Sequence, residues 1–77
     1  MANWEPIGWV EVESSNLPPR KFTKVYLEIK LIGDRPMYRA KLDQFNYATV
    51  VKITSRSCNA QFTWDGVIYY INVPYWD

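Results

Sequence analysis

Apolar and polar residues alternate with a period of two along most of this chain. The segment 25–31 (VYLEIKL) shows the alternation most clearly, because all its odd positions are apolar and two of its three even positions are charged. Such alternation is typical of a β-strand with one buried face. The segments 8–13 and 47–54 have the same character and the second is rich in β-branched residues. We therefore expect short strands joined by tight turns.

The turn cluster at 33–36 (GDRP) joins the segment 25–31 to a further predicted strand, and a hairpin with a four-residue loop results. This hairpin sets Ile32 opposite Met37 and Lys30 opposite Arg39. It places the apolar side chains on one face and the charged ones on the other, as a half-buried antiparallel pair requires.

A second hairpin is predicted around the dipeptide Asp65-Gly66. Asp-Gly suits a two-residue type I′ turn, because both central residues of that turn have positive φ. The turn sets Phe62 opposite Tyr69, on the face that we expect to be core.

A further strand is expected over 47–54, with Val51 and Ile53 facing inward and Lys52 facing outward. Apolar residues of the segment 43–49 also fit a helical spacing, so the alternative is an α+β fold with one short helix there. The β-branched run that follows opposes a longer helix.

The favoured fold class is all-β, with a single small domain over 1–77. Five to six short antiparallel strands form a meander, and such a sheet must curl to bury its apolar face and protect its edges. A small SH3-like or OB-like barrel is the predicted architecture.

The composition excludes most familiar chemistry. The chain has no histidine and one cysteine, so it offers neither a Ser-His nor a Cys-His nucleophile pair and no His/Cys zinc site. Its three glycines are isolated, so a glycine-rich phosphate loop is absent. We expect no catalytic residue, no metal site and no cofactor, and the prediction is that the protein is not an enzyme.

The net charge of +1 conceals an uneven distribution along the chain. Residues 20–41 hold seven of the nine Lys and Arg residues against two acidic ones. The predicted hairpin gathers part of this charge on one outer face beside a tyrosine. We call this set the basic strip: Tyr26, Lys30, Arg39, Lys41 and, if its strand is the next neighbour, Lys52. Cations beside an aromatic ring are the minimum needed to follow a phosphate backbone and stack a base.

Thirteen of the 77 residues are aromatic, more than a core of this size encloses, because each ring buries ~150–250 Å². Four of them lie near the two chain ends, which are often close together in small domains. We predict that these rings form one partner-binding patch with an acidic rim: Trp4, Trp9, Tyr75 and Trp76. The alternative is that the same rings plug the ends of the barrel. An aromatic centre with a charged rim is typical of protein–protein contacts.

The opening residues lack the basic stretch and apolar run of a secretion signal, and no apolar run approaches the ~20 residues that cross a bilayer. With a lone thiol, these features predict a cytoplasmic protein without membrane contact. The leading hypothesis is a small non-enzymatic binding protein that modulates or inhibits a larger protein, of the kind that bacteriophages and mobile elements encode. The alternatives are a nucleic-acid-binding barrel that uses the basic strip, and a structural homodimer.

Overall fold

The alternating segments form strands that close on themselves. The computed structural model describes residues 3–54 and 57–74. Its strands are β1 (Glu5–Ser15), β2 (Lys24–Ile32), β3 (Arg35–Lys41), β4 (Tyr47–Lys52), β5 (Ala60–Trp64) and β6 (Val67–Ile71). Each strand pairs antiparallel with the next, and β1 also pairs with β6, so the meander closes into a barrel. The prediction of a small all-β barrel of SH3-like or OB-like type is confirmed.

The long strand β1 belongs to both halves of the barrel. Its first part pairs with β2, and from Val12 onward it pairs with β6. The register shifts between Pro6 and Gly8, where the glycine has a φ of 133°. This β-bulge changes the phase of the strand. As a result Pro6, opposite Glu28, and Trp9, opposite Tyr26, lie on the same outer face of the sheet.

The core is centred on stacked aromatic rings from the last hairpin. Phe62 and Tyr69 are each 1% exposed, and their ring centroids lie 5.0 Å apart with an angle of 11° between the planes. Phe22 meets the Tyr69 ring edge-on at 5.5 Å. The backbone N–H of Lys21 donates a hydrogen bond of 3.3 Å to the Tyr69 hydroxyl, which gives this buried polar group a partner.

The β5–β6 hairpin has the predicted register, with Phe62 opposite Tyr69 and Trp64 opposite Val67. Its two-residue turn has positive φ at both central positions, 50° at Asp65 and 78° at Gly66. This is the φ pattern of a type I′ turn.

Replacing Gly66 with valine is expected to destabilise the domain by roughly 1–2 kcal/mol, because a β-branched residue resists positive φ. The measurement is the free energy of unfolding in urea. The matched control is Gly66→Asn, since asparagine tolerates the left-handed region. Equal stability of the valine variant and the parent would contradict the assigned turn.

The β2–β3 hairpin has a register two residues away from the predicted one. Ile32 pairs with Arg35 and not with Met37, and Lys30 pairs with Met37 and not with Arg39. The loop is a two-residue Gly-Asp turn whose glycine has a φ of 66°, which suits the first central position of a type II′ turn. Side chains alternate between the two faces of a strand, so a register shift of two residues leaves each side chain on its predicted face.

Strand β4 has the phase opposite to the predicted one. Ala48 and Val50 are buried, whereas Val51 is exposed. The pairing with β3 sets this phase, since Val50 lies opposite the buried Tyr38. Lys52 ends the strand opposite Ala60. It belongs to the side of the strand that the buried residues occupy, and not to the outer side.

The predicted helix alternative near residues 43–49 is wrong. One carboxylate oxygen of Asp43 accepts hydrogen bonds from the backbone N–H groups of Phe45 (2.8 Å) and Asn46 (2.9 Å). Such an aspartate turn offers the backbone an alternative to helical hydrogen bonding. The chain therefore reverses here and enters β4 at Tyr47.

Candidate functional site

A row of aromatic and basic side chains crosses four neighbouring strands on the outside of the barrel. Trp9 lies opposite Tyr26, Tyr26 opposite Lys41, and Lys41 opposite Tyr47. With strands ~4.8 Å apart, such a row extends about 14 Å across the sheet. Trp9 is 62% exposed, and its ring meets that of Tyr26 edge-on at 5.4 Å. The row therefore presents large apolar surface to solvent.

The arginine of the adjacent row is enclosed between rings. The Arg39 guanidinium carbon lies 3.8 Å from the centroid of the Tyr47 ring and 4.3 Å from that of Trp4. Its Nε donates a 2.7 Å hydrogen bond to Glu28, the residue directly opposite on β2. Guanidinium groups stack well on aromatic faces. Arg39 thus fixes two rings in place, and Glu28 neutralises its charge.

Three lysines supply the free positive charge of this surface. Lys24 Nζ lies 5.0 Å from the centroid of the Trp9 ring, and Lys30 Nζ lies 5.7 Å from that of Trp4. Lys41 lies in the central row. Across residues 3–54 and 57–74, none of the three makes an ion pair.

We call the whole surface the aromatic–basic face: Trp4, Trp9, Lys24, Tyr26, Lys30, Arg39, Lys41 and Tyr47. The charged side chains of this face that have no ion-pair partner are all lysines. One acidic residue, Glu11, borders the face at one edge, because it lies opposite Lys24.

A groove of about 490 Å³ opens at one end of the central row. It is lined by Trp9, Tyr26, Lys41, Leu42, Asp43 and Gln44. Hydrogen bonds from the Asn46 side chain and from the Phe45 N–H lower the pKa of the Asp43 carboxyl. The Asp43 carboxylate therefore stays ionised to a lower pH than an ordinary aspartate, and its hydrogen bonds keep the turn in place.

The structure brings most of the basic strip together. Tyr26, Arg39 and Lys41 share the outer face with Lys30, as expected, but Lys52 does not, because the phase of β4 is reversed.

The predicted aromatic patch is placed only in part. Trp4 and Trp9 lie among the lysines of the aromatic–basic face. Tyr75 and Trp76 lie outside the described residues. The sequence alone does not place Lys24 and Tyr47 on this face, because their contacts with Trp9 and Arg39 depend on the bulge in β1 and the phase of β4.

Other chemistry has little to build on in the described part of the chain. Cys58 is buried, and Glu11 and Glu13 are exposed on β1. No three His, Cys, Asp or Glu side chains within residues 3–54 and 57–74 gather as potential metal ligands. The same residues contain no helix able to span a membrane.

No family model, no curated protein and no solved structure matches this chain.

Proposed function

We propose that this protein is a non-enzymatic binding domain whose aromatic–basic face binds single-stranded nucleic acid. The observation that carries the proposal is the Trp9–Tyr26–Lys41–Tyr47 row, flanked by further lysines and rings. Proteins that bind single strands combine a basic track for the phosphates with aromatic rings on which bases stack. This face offers both on one rigid sheet.

The charge of the face selects an anionic ligand. Glu28 is paired with Arg39, and the carboxylate of Asp43 is engaged within its own turn. Lys24, Lys30 and Lys41 are left to attract a partner. Aromatic grooves also bind proline-rich peptides, but proline-rich recognition needs no negative charge that would complement three lysines. A nucleic-acid backbone carries one negative charge at each phosphate.

The exposed rings favour a single strand over a duplex. A duplex hides the faces of its bases in the stack, whereas an unpaired strand offers them to aromatic side chains. Trp9 is more than half exposed and Tyr47 is also exposed. Both belong to the central row, so successive bases can reach rings while lysines contact the intervening phosphates.

The test is the affinity for a fluorescent DNA strand of about 15 nucleotides, the upper range of site sizes for one small barrel. Each phosphate contact contributes ~0.7 to the slope of log K against log salt, so three lysines predict a slope of about −2. The double variant Lys30→Glu/Lys41→Glu should bind far more weakly and flatten this slope. Both side chains are partly exposed, so the free energy of unfolding should change little.

The matched control is Lys21→Glu/Lys52→Glu, which makes the same change in net charge away from the aromatic–basic face. We expect this variant to bind nearly as well as the parent. Equal losses in the two double variants would show that only overall charge matters, and the proposal would be wrong.

A second candidate function is the modulation of a larger protein, and the tip of the β2–β3 hairpin favours it. Leu31 and Ile32 are 56% and 52% exposed on opposite sides of the hairpin, and Met37 is exposed on the same side as Ile32. Exposed aliphatic clusters of this kind mark contact surfaces between proteins. Capture of one host protein by the parent, lost in Leu31→Asp and kept in Lys30→Glu/Lys41→Glu, would favour this function over the first.

A further inference from the structure

The turn that borders the groove is held by one carboxylate. Asp43 accepts hydrogen bonds from the N–H groups of Phe45 and Asn46, and from the Asn46 side-chain amide at 3.0 Å and 2.8 Å on its two oxygens. The Leu42 N–H donates to the Asn46 carbonyl at 2.9 Å. The turn is therefore preorganised, and whatever it carries is presented at little entropic cost on binding.

This turn presents a phenylalanine to solvent. Phe45 is 80% exposed, the most exposed of the large hydrophobic side chains in the described part of the chain. Its backbone N–H donates a hydrogen bond to Asp43, so the ring projects from a fixed backbone position directly after Gln44 of the groove and two residues before Tyr47. A ring so placed gains burial only when a ligand covers it.

The groove itself combines apolar walls with three polar side chains, of which the Asp43 carboxylate is already bound by its own turn. The rings of Trp9 and Tyr26 lie at 73° to each other, so a flat group that stacks on one ring meets the other edge-on. Lys41 adds a positive charge, and Gln44 adds an amide that has no hydrogen-bond partner among residues 3–54 and 57–74. An amide carries two donors and an acceptor, and glutamine pairs bidentately with the edge of adenine.

We infer that this groove is a base-selective subsite that takes one unpaired adenine. The base packs against Trp9 and Tyr26, the Gln44 amide bonds its edge, and Lys41 contacts the adjacent phosphate. Phe45 stacks on the next base of the strand. A volume of about 490 Å³ lies within the usual range for small-ligand sites. This inference rests on the proposed function and adds a sequence preference to it.

The test compares strands of about 15 nucleotides made of adenosine, thymidine or cytidine alone, by fluorescence anisotropy at one salt concentration. The parent should bind the adenosine strand at least about fivefold more tightly, the lower end of discrimination by one bidentate contact. Gln44→Ala should bind all three strands equally, at the parent's affinity for thymidine. The matched control is Gln61→Ala, which removes an amide on β5 outside the groove and should keep the preference.

Phe45→Ala should weaken binding to every strand by about fivefold or more, because it removes one stacking ring. Both residues of the turn are exposed, so circular dichroism should show the parent fold in each variant. Binding without any preference, unchanged by Gln44→Ala and Phe45→Ala, would overturn the subsite but leave the proposed function intact. Failure of every strand to bind at low salt would overturn both.

Discussion

Replacing Phe62 with alanine is expected to lower the free energy of unfolding by about 3–5 kcal/mol. Phe62 is 1% exposed and stacks on Tyr69 at the centre of the barrel, so the change removes buried area and leaves a cavity. A single core in a domain this small supplies only ~3–5 kcal/mol in total. The variant should therefore be largely unfolded at room temperature, as measured by circular dichroism and urea titration.

The matched control is Phe45→Ala, because it removes the same side chain from the most exposed phenylalanine. This change should alter the free energy of unfolding by no more than about 0.5 kcal/mol. A cooperative, parent-like urea transition in the Phe62 variant would mean that the core is not organised around the Phe62–Tyr69 stack.

Replacing Trp9 with alanine is expected to weaken binding of single-stranded DNA by ~1–3 kcal/mol, the contribution of one stacked base. The same change removes the partner of Lys24 and one wall of the groove. Stability should change little, because the ring is mostly exposed. Fluorescence anisotropy with a labelled strand measures the loss.

Two further variants separate stacking from general hydrophobicity. Trp9→Phe keeps a ring and should recover most of the affinity. Leu31→Ala removes a side chain of similar exposure at the tip of the β2–β3 hairpin, away from the central row, and should have no effect. If Leu31→Ala weakened binding as much as Trp9→Ala, the ligand would sit at the hairpin tip and not on the row.

The strands were predictable where local turn chemistry fixes the pairing. Asp65 and Gly66 both adopt positive φ, and this leaves one register for β5 and β6. The β2–β3 loop was ambiguous, since a Gly-Asp pair closes a two-residue turn as readily as the GDRP stretch fills a longer loop. The register error of two residues left each side chain on its predicted face. The Glu28–Arg39 pair, however, follows only from the actual register.

The phase of β4 could not be read from its own residues. Ala48 and Val50 are apolar, and so are Val51 and Ile53, so either set could have faced the core. The partner strand decides, because Val50 lies opposite the buried Tyr38. That choice removes Lys52 from the basic strip.

Part of the aromatic–basic face could be predicted from the sequence. Lys30, Arg39 and Lys41 follow from alternation along one hairpin. The arrival of Trp4 on the same face depends on the bulge at Gly8, an isolated glycine within a strand pattern, which is a recognised bulge signal. The sequence shows the aromatic residues, but only the closed barrel brings them together with the lysines.

The most direct test of the central claim is the nuclear magnetic resonance signal of each tryptophan indole N–H during titration with single-stranded DNA. Trp4 and Trp9 belong to the aromatic–basic face, whereas Trp64 lies on β5 at the opposite hairpin and serves as an internal reference. We predict that the signals of Trp4 and Trp9 shift progressively with added strand while that of Trp64 stays in place. A shift of Trp64 with Trp4 and Trp9 unmoved, or no shift at any DNA concentration, would contradict the assignment of this face as a nucleic-acid interface.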